Sequence, residues 1–357
     1  MESPRRSRES RAAADGGAKA PRLGPAEKDG GFGGSFESVS VCPVCGGTFG
    51  RVVYEHIADP LGRRQQYSLR RCSFCGHVST NPIPAPDILS EYYPATYYSY
   101  VEPTDEGFSG RVKRWLSQAA NEPLGRVARS FLRKHIAILP ARSHSGNLLD
   151  MGCGNGKFLS FMRGVGWKTY GTDISPQAVE AARGNGHQVS CGDVRQAGFP
   201  DNFFDLITLN NVLEHVYDPI ATLQELYRIL RPGGELIVCV PNFDCYERQV
   251  FGKHWDPLKI PVHFQHFNSN SLTLALVTAS FAPFLTKRPI RIRIARNLKG
   301  FRKNAPPSFR KGVGVYVGSV VLSVAYPILC MLSLFLEVPK AGMFLTVHAI
   351  KEDSRAA

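Results

Sequence analysis

Four cysteines stand in two Cys-x-x-Cys pairs, Cys42/Cys45 and Cys72/Cys75, each pair followed by a glycine. Four thiolates in that arrangement can close a tetrahedron around zinc. All four are then needed as ligands, so the ion is structural; redox-active dithiols are the alternative. A second constellation begins at Asp150-Met151-Gly152-Cys153-Gly154-Asn155-Gly156, a glycine-rich turn after an apolar stretch. Such a turn lets a ligand approach the backbone closely. Asp173 follows 23 residues later, where a carboxylate can accept hydrogen bonds from both hydroxyls of a ribose. Asp193 follows the strand pattern at 187–191 and can receive an amino group. Glu214 and His215 are adjacent, and His263 lies in a later segment rich in histidine and aromatics. The reference pKa of histidine lies near neutrality, which makes His215 the first candidate for a general base. The plainer role for each of these histidines is packing.

These residues need a scaffold. Strand patterns fall at 147–151, 168–173, 187–191, 204–209 and 235–240, separated by helical patterns at 157–165, 176–183 and 220–230. Such alternation predicts an α/β fold with a doubly wound, mostly parallel sheet. Its ligand belongs at the carboxyl ends of the strands, near the point where strand order reverses. A last strand over 343–350 is expected to join the same sheet in antiparallel sense. Asn268 reads as the start of a further helix.

In order and spacing, residues 147–243 resemble the class I S-adenosylmethionine-dependent methyltransferases, with a Rossmann-like sheet. The resemblance implies that Gly152, Gly154 and Gly156, with Asp150, hold the methionine end of S-adenosylmethionine. It also implies that Asp173 holds the ribose and Asp193 the adenine side. Asn211, Glu214 and His215, just after the fourth strand, are expected to project toward the methyl group, Asn211 counting with the cofactor residues. Methyl transfer is an in-line displacement that depends mainly on alignment, with a base helping a hydroxyl nucleophile. Some related quinone-pathway O-methyltransferases bind a divalent metal beside their Glu-His pair through an additional Glu. Asn211 stands at that position here, which argues against a catalytic metal. In related enzymes the Pro-x-His stretch, here Pro261-Val262-His263, lies beside the substrate pocket.

The 357 residues carry a net charge of +13 and are 43% apolar, enough for a large core and smaller modules. The reading divides them into a disordered tail (1–38), a zinc ribbon (39–84), a helical cap (85–140), the methyltransferase core (141–286), a basic plus apolar helical insertion (287–342) and the final strand (343–352). Ten Lys or Arg residues and no acid lie in 287–311, followed by 312–336 without any charge. That pair of segments predicts contact with an anionic membrane surface, as a re-entrant or interfacial hairpin rather than a crossing; the alternative is a helical insertion packed on its own domain with a solvated basic face. The expected location is cytoplasmic, peripheral on the inner face of the membrane; the oligomeric state is left open.

Residues 81–100, rich in Pro and Tyr, look like the start of methyltransferases that modify polysaccharides and sugars. The predicted function is therefore O-methylation of a glycan or lipid-linked saccharide. Two alternatives stand beside it: a ribosomal RNA methyltransferase using the ribbon to bind its substrate, and a non-catalytic scaffold that binds the cofactor.

Overall fold

The computed structural model describes residues 36–93, 139–141, 145–287 and 342–353. Most of the predicted tail, cap and C-terminal insertion, including the uncharged run 312–336, lies outside the described residues. Among the described residues no helix is long and apolar enough to cross a membrane.

The N-terminal part holds β1 (Phe36–Glu37), β2 (Phe49–Ala58), β3 (Gln66–Cys72), β4 (Val78–Asn81), β5 (Ile83–Pro84) and the short α1 (Pro86–Leu89). The core then alternates: β6 (Asn147–Met151), α2 (Lys157–Gly164), β7 (Lys168–Asp173), α3 (Pro176–Gly184), β8 (Gln188–Cys191), β9 (Phe204–Asn210), α4 (Pro219–Ile229) and β10 (Leu230–Pro241). It closes with α5 (Tyr246–Phe251), β11 (Gln265–His266), α6 (Ser269–Thr278), β12 (Ala282–Lys287) and β13 (Phe344–Ile350).

Seven strands form the main sheet in the order β12-β13-β10-β9-β6-β7-β8. The five from β10 to β8 are mutually parallel, and β13 lies antiparallel between β10 and β12. The fold is thus the expected Rossmann-like methyltransferase sheet with its antiparallel final strand. The 287 boundary of the insertion coincides with the last residue of β12, an edge strand that the sequence pattern did not reveal.

Both faces of this sheet are covered, so its central strands β9, β10 and β13 are buried over most of their length. Alternation sorts them. Leu148, Leu206 and Ile237 pack with Leu159 and Met162 of α2 and Val179 and Ala182 of α3. Leu149, Ile207 and Val238 face the other way, against Leu223 and Leu226 of α4 and Leu272 and Leu276 of α6. Helix starts follow side-chain capping. Ser175 accepts from Ala178 N and Asp218 from Ala221 N, each with proline next in the chain. Asn268 and Ser271 form a reciprocal capping box on α6.

The cysteine module is not a separate bead. A second sheet runs β11-β4-β3-β2, so a strand from within the core segment completes the ribbon, with Gln265 opposite Ser79 and His266 opposite Val78. Cys42, Val44 and Cys72 are buried in the same cluster as Phe267 and Leu272.

Candidate active site and metal centre

Strand order reverses between β6 and β9, and the glycine-rich turn sits at the carboxyl end of β6. Gly152 adopts φ +71°, and its N–H donates to Thr172 O at 2.7 Å. A Cβ added there would stand 2.4 Å from Val212 Cγ2, so both the left-handed backbone and the space require glycine. Asp173 ties the turn to the next helix. Its Oδ2 accepts from Gly154 N at 2.8 Å and its Oδ1 from Ser175 N at 2.9 Å. Gly152→Ala is expected to retain the fold by circular dichroism and to lower affinity for S-adenosylhomocysteine at least ~10-fold, since left-handed strain and displaced backbone together cost over ~1.4 kcal/mol. Unchanged affinity by calorimetry would count against a ligand lying along this turn.

A cavity of about 640 Å³ opens over the turn, in the size range of small-ligand sites. Asp150, Gly152, Asp173, Asp193, Asn211 and His215 all line it. Asp150 is buried, and its Oδ1 accepts from Thr208 Oγ1 at 2.7 Å. Burial pushes its carboxyl up to about 7, with the Asp173 charge adding to the rise and Thr208 opposing it. Burial also raises Asp173, against the pull of its two backbone amides. At Asp193 burial is outweighed by Arg195, whose guanidinium grips both carboxylate oxygens at 2.7–3.2 Å and holds the carboxyl below its usual range.

Asp150 half-titrates near neutrality, so a cationic ligand must favour its ionised form and displace a proton. Affinity for S-adenosylmethionine is therefore expected to rise as pH increases through about 7. Calorimetry in buffers of different ionisation enthalpy should show a proton released on binding at pH 6.5 and little release at pH 8.5. Equal proton uptake or none at both values would refute this role for Asp150.

Asn211 holds a left-handed backbone at φ +57°, its N–H donating to Cys239 O. His215 Nδ1 lies 2.8 Å from both the Val262 carbonyl oxygen and the Tyr93 hydroxyl. A carbonyl can only accept, so the ring proton belongs on Nδ1 and the Nε2 lone pair is left over. Burial lowers His215 to about 4, the Val262 carbonyl opposing, so the ring is neutral at neutral pH. Glu214 and His263 do not line the cavity. They lie buried behind His215, whose ring meets that of His263 edge-on at 4.5 Å. Burial pushes Glu214 up to about 8 and holds His263 well below the usual histidine range.

The sulfurs of Cys42, Cys45, Cys72 and Cys75 lie within 4.8 Å of one another. Cys42 Sγ is 3.6 Å from Cys75 Sγ, and Cys45 Sγ is 3.5 Å from Cys72 Sγ. They are free thiols rather than disulfides. Gly46 and Gly76, both at positive φ, close the two knuckles through N–H bonds to the Cys42 and Cys72 carbonyls. The hairpin of β2 and β3 absorbs the long spacing between the pairs. The donor set and its compactness fit a four-thiolate zinc ion.

Three cavity residues escaped sequence reasoning. Tyr93 and Leu89 come from the segment after the ribbon and line the cavity from the opposite side of the chain's order. Tyr93 was signalled only by the aromatic richness of its segment, and Leu89 by nothing local. Arg195, two residues beyond Asp193, looks like an ordinary surface cation until its bidentate grip is seen.

Residues 124–283 match the family model described as a methyltransferase domain. A probable S-adenosylmethionine-dependent methyltransferase of Mycolicibacterium smegmatis is 28% identical over 156 residues, 42% of this chain and 59% of that relative. The chain thus matches about three fifths of that relative's length. A malonyl-[acyl-carrier protein] O-methyltransferase of Serratia marcescens is 28% identical over 198 residues, 52% of this chain and 75% of that protein. Among solved structures, an S-adenosylmethionine-dependent methyltransferase from Mesorhizobium loti covers 60% of this chain and 94% of its own, with 19% identity and a TM-score of 0.40.

Proposed function

We propose that this chain, whose core is a Rossmann-like methyltransferase domain, transfers a methyl group from S-adenosylmethionine to a hydroxyl of a glycan or lipid-linked saccharide. The observation that carries the transfer reading is one cavity holding the glycine turn, Asp150, Asp173, Asp193 and His215 together. Bound there, the sulfonium supplies an electrophilic methyl carbon. Gly152 leaves the room its methionine end needs, and the outward lone pairs of Asp173 take the ribose hydroxyls. Asp193 is positioned for the adenine edge, with Arg195 fixing its orientation. His215, neutral and pinned by Val262, stands on the wall where an acceptor would meet the methyl group.

Transfer to oxygen is supported by the O-methyltransferase relative, whose own acceptor is different. The saccharide acceptor is supported by the sequence resemblance of the Tyr-rich segment, from which Tyr93 reaches His215. A lipid-held acceptor accords with the basic and uncharged segments at 287–336, for which we propose a peripheral position on an anionic membrane. The test is incubation of host extract with methyl-labelled donor, followed by fractionation into lipid, saccharide, protein and RNA. Label in lipid-linked or free saccharide is expected. Label in RNA, with binding that falls steeply as salt rises, would replace the acceptor assignment, and no label in any fraction would overturn the transfer reading.

A further inference from the structure

Behind the cavity wall lies a group of side chains that packing does not explain. Glu214 is 1% exposed, and neither carboxylate oxygen has a hydrogen-bond partner. Lys259 is near enough to favour its charge without bonding to it. A buried carboxyl without a hydrogen-bond partner costs free energy even when it is protonated, and a cation meeting it would restore its charge and satisfy both oxygens. Two imidazoles stand beside it. One atom each from Glu214, His215 and His263 can be chosen so that all three lie within 4.8 Å of one another.

Both rings are prepared as ligands. His215 donates Nδ1–H to the Val262 carbonyl, and the Pro257 carbonyl lies where it favours a ring N–H on His263. Each therefore keeps a lone pair on its other nitrogen, with ring orientation fixed by backbone, the arrangement found behind metal-bound histidines. His263 is itself held in place from the ribbon: Thr80 Oγ1 donates to its carbonyl at 2.7 Å, and Thr80 N donates to Phe264 O. Asn211 stands where some related enzymes carry a further carboxylate, but His263 supplies a third side chain from a loop no local motif connects to Glu214.

We propose that Glu214, His215 and His263 bind a divalent transition-metal ion in addition to the zinc of the four-cysteine centre. Two nitrogens and one carboxylate suit Mn²⁺, Fe²⁺, Co²⁺ or Zn²⁺ and not the all-oxygen preference of Mg²⁺ or Ca²⁺. Metal–ligand bonds of about 2.0–2.2 Å require the donors to draw in modestly. Three protein ligands leave positions for water or for an acceptor oxygen entering beside His215. A dication there would make an acceptor hydroxyl easier to deprotonate. That role rests on the methyl-transfer reading, whereas the binding itself does not.

Cobalt is the probe that separates the two centres. Full-length protein with its ribbon filled by zinc is titrated with Co²⁺ and followed by visible absorption and metal analysis. One further equivalent is expected, with visible d–d bands and no thiolate-to-cobalt charge transfer in the near ultraviolet. Glu214→Gln and His263→Asn are expected to weaken that binding at least ~10-fold. Spectra showing only thiolate bands, or equal affinity in folded Glu214→Gln protein, would overturn the site. Should wild-type protein bind S-adenosylhomocysteine but take up no extra cobalt, the metal site fails and the transfer reading stands. Cobalt uptake without S-adenosylhomocysteine binding gives the reverse.

Discussion

Asp173→Ala is expected to weaken S-adenosylhomocysteine binding by on the order of a hundredfold, with the fold intact by circular dichroism. Hydrogen bonds to a carboxylate contribute about 1.5–3 kcal/mol each, and two ribose hydroxyls would use this one. About 3 kcal/mol corresponds to a factor of roughly 150. The same substitution also releases Gly154 N and Ser175 N, which Asp173 fixes at 2.8 and 2.9 Å. The turn and the start of α3 then lose their common anchor. Asp173 is half-buried, which limits competition from water for these bonds and keeps the effect large. Calorimetry settles it: affinity within threefold of wild type would remove the carboxylate from the donor site. Asp193→Ala should cost less, since Arg195 already occupies both of its oxygens and part of any ligand bond is offset by loosening that pair.

The residues that answer to local rules were legible in advance. Asn147–Met151 and Lys168–Asp173 are strands with the boundaries expected: the first carries Leu148, Leu149 and Met151 up to the glycine turn, and the second alternates exposed and buried residues up to its closing acid. The helices after Ser175 and Asp218 begin where a capping side chain and a proline coincide. The strand Ala282–Lys287 was not legible: Pro283 sits within it, which points away from a central strand, and it survives as an edge. Pairing of Val78 with His266 joins segments 188 residues apart, and no local pattern encodes such a partner. The same reason hid the geometry around His215. Its neighbours Tyr93, Val262 and His263 come from the segment before the core and from a loop late within it, so the sequence could nominate each residue but not their meeting. Glu214, expected to point at the methyl group, instead lies behind the cavity wall, because a tight turn after β9 directs its carboxylate inward.

That meeting place makes the cysteine centre more consequential than its distance in sequence implies. If the four-cysteine centre holds the zinc its donor set fits, Cys72→Ser, or removal of that ion by a strong chelator, is expected to abolish methyl transfer and to lower the melting temperature by more than ~10 °C. Structural zinc sites contribute about 10–16 kcal/mol of apparent binding free energy in small domains, comparable with the whole stability of many proteins. Here the loss would spread along β3 and β4. Cys72 is the last residue of β3, and β4 carries Thr80, which holds the His263 carbonyl, and Val78 and Ser79, which pair with β11. His77 on the same segment bonds through Nε2 to Gln265 at 2.8 Å, and Gln265 Nε2 reaches the Val216 carbonyl beside His215. The donor turn, by contrast, hangs on β6, β7 and β8 at the far side of the sheet. Zinc loss should therefore damage the acceptor wall first, so that transfer disappears at chelator concentrations where S-adenosylhomocysteine still binds with less than ~10-fold loss. If zinc-free protein keeps its melting temperature and turns over normally, the ribbon is an appendage and the coupling through Thr80 and Gln265 is wrong. If donor binding and transfer vanish together at every zinc occupancy, the two sides of the cavity fold as one unit rather than in the order the hydrogen bonds imply.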